Sequence, residues 1–511
     1  MQKRIAILLA LLLALAPATM SCSKEEETKK TETTPTADTS TTADTTDTAG
    51  ETEADPYAGY DFGGATLSIF SSADSFDSTN ANFLIAGSGE MNGEIVNDAV
   101  YSRNLKVEDG LNVKLAYTPG EWTYSDIGAG IDQLIMAGDR VYDVMINDMF
   151  RLVEASIKGQ LHNVAKTDKL DLTASYWYTD AMDDLMVVPG AMYLMLGDYF
   201  ADSLASAHVL YYNRDLIENN YDDADYLHNL IMDGKFTKDV MLSIMQDCAV
   251  DVNGDGKWDR TDVLGYIAPG AWGPMMPLVT GFDVEYIQRD ESGEVSFDFN
   301  NEHSVKVLEA CNALYHNDLT LQTMGDDEDI QAVTRDLIGA GNAVFAGYLR
   351  LSDFGNMREY ETTIGLSPYP KLDESQASYI SSLHDTSEVG SVLLTTPESD
   401  LDFVYTCLEF LGRESSETVI PVWFDEALKV KYSSGEEDAQ VLDIIRSTID
   451  HPFALAYQSA LNGYPLPACF LNMISANSNN FASNYQSTKT AGETALASVV
   501  DAFKANLAAG N

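Results

Sequence analysis

Between residues 65 and 150 the apolar positions fall into alternating strand and helix patterns. Residues 65–70 (Ala-Thr-Leu-Ser-Ile-Phe) read as a strand and run into a polar loop, 71–74. From about residue 94, Val96, Ala99, Val100 and Val107 share one helical face, with Gly110 as the expected C-terminal stop. Residues 112–117 form the next predicted strand. Ile127, Ile131, Leu134 and Ile135 then stand at i, i+4, i+7 and i+8 of a helix ending near Gly138, and 142–146 give a third strand. This order predicts an α/β fold with a parallel, doubly wound sheet, whose ligands bind beyond the carboxyl ends of the strands. Asp74, Asn147, Asp148 and Phe150 stand at those ends.

Farther along, 185–188 and 192–196 flank Pro189-Gly190, a pair suited to a type II turn, and predict a hairpin. Residues 208–213 form a strand leading into a helix from about 215. Strands are also expected at 342–346 and 364–366, separated by a polar and aromatic stretch, 348–360. The C-terminal third reads as mainly helical. In its strongest helix Leu401, Val404, Tyr405, Leu408 and Leu411 are in register, with Gly412 just beyond. No internal repeat is present.

The N-terminus changes the picture. Lys3 and Arg4 precede an apolar run, 5–16, which is the charge and length pattern of a secretory signal and is shorter than the roughly twenty residues of a membrane span. Ala18-Thr19-Met20-Ser21-Cys22 resembles the bacterial lipobox, in which a small residue precedes a cysteine that is lipidated and becomes the new N-terminus. Thr19 departs from that pattern, and Ala16-Pro17-Ala18 offers an A-x-A site for ordinary signal cleavage. Lipidation at Cys22 would place the protein on the outer face of the bacterial cytoplasmic membrane. Residues 23–58 are a low-complexity run of Thr, Ser, Ala, Asp, Glu and Lys, expected to be a disordered tether.

The rest of the 511-residue chain exceeds what one hydrophobic core normally organises, so two lobes are expected. A formal charge of −50 excludes nucleic acid as a partner, since phosphate binding needs clustered Lys and Arg. Besides Cys22, Cys248, Cys311, Cys407 and Cys469 lie far apart without CxxC spacing. They could form two bridges in three pairings, but their apolar helical contexts favour buried free thiols.

The sharpest local motif is 251–262, Asp-Val-Asn-Gly-Asp-Gly-Lys-Trp-Asp-Arg-Thr-Asp. Asp251, Asn253, Asp255 and Asp259 supply side-chain oxygens at alternate places, Gly256 permits the sharp turn, Lys257 can offer its carbonyl, and Asp262 closes the set. This is the spacing of an EF-hand-type calcium loop, with Asp262 where EF-hands carry Glu; dockerin-type loops carry Asp there but come in pairs. A structural Ca²⁺ with affinity of about 10⁻⁴ to 10⁻³ M is the expectation. An ordinary solvated turn is the alternative.

Val209-Leu210-Tyr211-Tyr212-Asn213-Arg214-Asp215 and Gly341-Asn342-Ala343-Val344-Phe345-Ala346-Gly347 are similar to segments of the extracellular solute-binding proteins of bacterial ABC importers, the group that includes maltose-type and other oligosaccharide receptors. Residues 364–370 followed by Lys371-Leu372-Asp373, and residues 390–396, resemble the last crossing and closing segment of that family. The resemblance implies a two-lobed periplasmic-binding-protein-like fold with three crossings, a hinge and an interlobe ligand cleft. It assigns 59–206 and 335–372 to the first lobe, and 207–334 and 373–511 to the second. It further implies a monomer that encloses a solute by hinge closure, delivers it to ABC permease subunits and does no chemistry.

For such a cleft, Trp272 in the Gly- and Pro-rich loop 268–274 is the leading stacking candidate, against a Trp packed under its loop. Trp122, Trp177 and Trp423 read first as core or lobe-surface aromatics, and Trp258 as local packing in the calcium-type loop. Asp74, Asp148 and Phe150 follow predicted strands; Tyr348 and Arg350 follow the expected return strand. A surface ion pair is the plainer reading of Arg350. The chain has no GxSxG, HExxH, Walker-type or GxGxxG motif. An oligosaccharide is the leading solute, with a peptide or polyamine receptor, a polysaccharide-degrading enzyme and an adhesion scaffold as alternatives.

Overall fold

In the computed structural model, which describes residues 55–72, 82–120, 122, 126–270, 273–291, 293–322, 328–429 and 435–510, the body begins at Tyr57. That is inside the stretch read as tether. Its ring stacks on Phe410 at 4.4 Å, and its hydroxyl donates to Glu414 at 2.9 Å. Cys22 lies outside the described residues.

Among the described residues the strands are, in chain order, β1 (Ala65–Ser72), β2 (Val113–Gly120), β3 (Val144–Asp148), β4 (His208–Asn213), β5 (Leu264–Ile267), β6 (Ile287–Arg289), β7 (Val295–Phe297), β8 (Thr320–Leu321), β9 (Ala343–Arg350), β10 (Ile364–Ser367) and β11 (Glu388–Val392). A first sheet has the order β11-β3-β1-β2, and a second the order β10-β4-β9-β5-β8. β1 pairs in parallel with β2 and β3, as the alternation of strand and helix requires, and β11 joins β3 antiparallel. Between β1 and β2 runs the helix Ile95–Leu111, capped by the Glu94 carboxylate on the N–H groups of Val96 and Asn97. Gly110 is not its stop. Asn112 ends it in the left-handed region, at φ 52°, while Gly110 is still helical and is glycine because a Cβ there would stand 2.2 Å from the Tyr57 ring.

The second sheet mixes directions: β4 pairs antiparallel with β9 and β10, and β5 pairs in parallel with β9 and β8. This corrects the expected lobe boundaries. The strand at 341–347 does not return to the first lobe, because β9 lies between β4 and β5, and β10 continues the same sheet. The strand that does return is β11. The hairpin at 185–196 does not form either. Its turn is present, with Gly190 at φ 78° and the Ala191 N–H donating to the Val188 carbonyl at 2.9 Å. Its second arm instead bridges to β11 through Met195 and Gly390.

The C-terminal third is helical, as the periodicity predicts, and it ties the two lobes together. The helix Gly435–Ser447 packs on β10, and the long helix Phe481–Ala508 packs both on the helix Met149–Ile157 beyond β3 and on β7. The apolar core is continuous through both sheets. Cys248, Cys311, Cys407 and Cys469 are buried in it as free thiols.

Candidate functional site

Asp148 ends β3 and precedes the helix Met149–Ile157, yet it does not cap that helix. It is 1% exposed, and neither carboxyl oxygen has a hydrogen-bond partner. Directly opposite it in the antiparallel ladder stands Glu388 of β11, 0% exposed, so the two side chains share one face of the sheet. A third acid adjoins them. Asp202, at the start of the short helix Asp202–Ala205, accepts the Glu388 N–H at 2.7 Å. Burial, followed by the Asp202 and Asp385 carboxylates, raises the Asp148 pKa to about 8, with Arg151 opposing.

The second lobe meets this cluster through β9. Opposite Leu210 of β4 the register slips by one residue, leaving a bulge at Gly347 and Tyr348. Tyr348 takes φ 66° there, a conformation that costs a bulky residue and that clusters at functional sites. Its phenol is half-buried, and its pKa is raised by burial and then by Asp385 and Asp329. Arg350, two residues on, is buried opposite His208. Burial lowers its guanidinium to about 10, against the pull of Asp353 and Asp385. Its backbone N–H donates to Asp353 at 3.0 Å, and Asp353 also accepts from Arg335 at 2.6 Å.

Between these two sets passes the chain at 381–387, which returns to the first lobe. The His384 ring stands 5.3 Å from that of His208. Burial holds both imidazoles neutral, His208 lowered to about 4 and His384 well below its ordinary value, with Arg350 and His208 adding to the effect on His384. Burial raises the Asp385 pKa, opposed first by Gln458, which donates to it at 3.1 Å, and then by Arg350.

Of the sequence-predicted contacts, Asp148, Tyr348 and Arg350 therefore converge electrostatically on Asp385. Phe150 is the second residue of the helix after β3; it is buried but stands outside the contiguous apolar core, with the Arg151 guanidinium 4.8 Å over its ring. Asp74 and Trp272 lie outside the described residues. Trp122 packs on Phe70 at 5.5 Å, and Trp423 on Phe424 at 5.4 Å. Trp177 donates from Nε1 to Glu409 at 3.0 Å and lines a separate cavity of about 600 Å³ with Tyr178, Met232 and Arg446.

Asp202, His208, His384, Asp385 and Glu388 were not singled out in the sequence. The run Ser381-Ser382-Leu383-His384-Asp385-Thr386-Ser387-Glu388 has the polarity of a surface loop, yet apart from the partly covered Asp385 it is buried. Its polarity ahead of an apolar strand was the available signal.

The loop at 251–262 runs from the helix Lys238–Cys248 into β5, and an antiparallel bridge between Val250 and Val263 closes its ends. Asp251 accepts the N–H groups of Gly254 at 2.7 Å and Gly256 at 2.9 Å. The buried Asp262 accepts those of Val252 at 3.0 Å and Asp259 at 2.9 Å. The donors are all oxygen, the chemistry calcium takes. Among the described residues, however, no three acidic, histidine or cysteine side chains converge closely enough to hold a metal.

No protein-family model matches the chain, and no curated protein is similar to it. Among solved structures it is similar to the GacH receptor of Streptomyces glaucescens, described unliganded and in complex with acarbose and an acarbose homolog, at 13% identity over 87% of this chain and 98% of that one, TM-score 0.47. It is also similar to maltose-bound MalE3 of T. maritima, at 14% identity over 86% of this chain and 99% of that one, TM-score 0.46. Likeness of this degree bears on neither ligand nor activity.

Proposed function

We propose that the chain is a solute receptor, lipid-anchored at the outer face of the bacterial cytoplasmic membrane, which encloses a small polar solute, most simply an oligosaccharide, between its lobes and passes it to the permease of an ABC importer. One observation carries the reading: Asp148, Tyr348 and Arg350, contributed by two different sheets, gather electrostatically around the returning chain at Asp385. Polar groups buried at a junction between lobes, with a bulged tyrosine and an aromatic ring outside the core, suit capture of a polar ligand by closure. The signal-like N-terminus and the Cys22 lipobox resemblance supply the location, and calcium at 251–262 is proposed as a structural ion of the second lobe.

The test is thermal melting of the protein from residue 54 onward against oligosaccharides, amino acids, peptides and polyamines. A ligand present at a hundredfold excess over Kd stabilises the folded state by about 2.7 kcal/mol. A saturable shift with one solute class, without turnover, is the expected result. Release of reducing ends from a glycan would replace the receptor with a polysaccharide-degrading enzyme.

A further inference from the structure

The cavity of about 600 Å³ lined by Trp177 is walled by both lobes. One wall is the segment 175–180, which the Trp177–Gly197 bridge and the bond from Trp177 to Glu409 fix to the first lobe. The other is the helix Gly435–Ser447, packed on β10, with Met232 at the end of the neighbouring helix Tyr226–Met232. Arg446 ties the walls together. Its Nε donates to Asp198 at 3.1 Å, and its Nη2 donates to the same carboxylate and, at 3.0 Å, to Ser416. The Tyr178 hydroxyl also donates to Asp198, at 2.8 Å. The Asp198 side chain is fully buried, so the single base of the lining is neutralised within the protein. Two acids of the lining are left. Asp180 on the first wall and Asp443 on the second are exposed, and neither carboxylate bonds to a described residue. Apolar surface predominates in the rest, led by Met232, 44% exposed, and the half-buried Ile444.

We propose that this cavity is a second ligand site, and that it takes an aliphatic diammonium whose cationic ends meet Asp180 and Asp443 while its hydrocarbon chain covers Met232 and Ile444. Such a ligand reaches from one lobe to the other. The inference stands apart from the receptor reading, since no residue of the Asp385 junction lines the cavity. An anion would meet two carboxylates and a guanidinium already engaged. A neutral polyol would offer hydroxyls but no charge, and it would set polar groups against the apolar surface. Each ammonium brings one positive charge and up to three donors, and the methylenes between them suit the apolar wall. A chain of formal charge −50 also concentrates cations near its surface.

Calorimetric titration of the full chain tests the site with α,ω-diamines of about three to six methylenes, butylamine and butane-1,4-diol. One diamine is expected to bind saturably, about tenfold or more tighter than butylamine, with the diol inert and high salt weakening the binding. Asp180→Asn and Asp443→Asn should each lower that diamine to about the affinity of butylamine. Neither should lower the melting temperature, because neither carboxylate bonds to the fold. A loss of affinity without a loss of stability is what a merely structural role would not give. Asp385→Asn should leave the diamine unchanged; if it removes binding instead, the cation sits at the lobe junction and the inference falls. Equal affinity for the diamine and butylamine, a diamine indifferent to both aspartate substitutions, or no saturable binding at millimolar concentration would overturn it as well. None of these outcomes touches the oligosaccharide titration that tests the receptor reading.

Discussion

The ring of Tyr348 lies across the backbone of Gly273, so close that a methyl group on Gly273 would stand 1.7 Å from Cε2. This contact joins the bulge of β9 to the segment that leads into the helix Met275–Gly281. Gly273→Ala should displace one or both and cost about 1–3 kcal/mol, the range of an overpacked site. Melting temperature and ligand titration should fall together. Adding Tyr348→Ala should recover the stability but not the affinity, and a fully additive double-mutant cycle would contradict the contact.

Arg103 holds a different seam. Buried in the helix Ile95–Leu111, it donates to the carbonyls of Leu84, at 2.9 Å, and Ile85, and to the Ser415 hydroxyl at 3.1 Å, with its guanidinium 5.2 Å from the Tyr199 ring. Arg103→Met would leave these acceptors buried without a donor, and chemical denaturation should show a loss of about 2–4 kcal/mol. Lys158→Met makes the contrast. Lys158 pairs with Asp132 at 2.9 Å and both side chains are exposed, so its loss should cost under about 1 kcal/mol.

His451 sets an alkaline limit. Burial works against its charge, but Asp283 at 3.1 Å from Nε2 and Asp450 at 3.1 Å from Nδ1 outweigh burial and raise its pKa to about 10. A cation held more tightly in the folded state stabilises fully below about pH 6.5, and that contribution disappears as pH rises through 10. His208 acts in the opposite sense: lowered to about 4, it is buried neutral, so stability should fall as pH drops from about 6.5 towards 4. Denaturation midpoints measured from pH 4 to 10 should therefore decline at both ends. His451→Gln should flatten only the alkaline limb.

The local elements were legible because their patterns are local. The faces of Val96 with Val100 and of Ile127 with Ile131 give two helices and, through their order, the parallel core of the first sheet. Strand order in the second sheet was not legible. β9 reads as an apolar strand wherever it pairs, and only its ladders to β4 and β5 fix its lobe. At the candidate site, Asp148 could be found from its place after a strand. Glu388 could not, since its meaning comes from standing opposite Asp148, 240 residues away in the chain, in a register that periodicity leaves open.

The calcium-type loop offers a prediction in which the two readings diverge. Asp262 is buried and accepts two backbone N–H groups, so Asp262→Asn should destabilise the protein with or without calcium, and it discriminates nothing. Asp255 is exposed and accepts only the Lys257 N–H, at 2.8 Å. Asparagine can keep that bond while removing the charge. At 10 mM calcium and a Kd of about 0.1–1 mM, binding would stabilise the fold by about 1.4–2.7 kcal/mol. The wild type should therefore melt several degrees higher with calcium than with chelator, and Asp255→Asn should match the wild type in chelator while losing most of the calcium shift. If calcium moves neither protein, the side chains at 251–262 serve only as acceptors for their own backbone, and the motif is a turn.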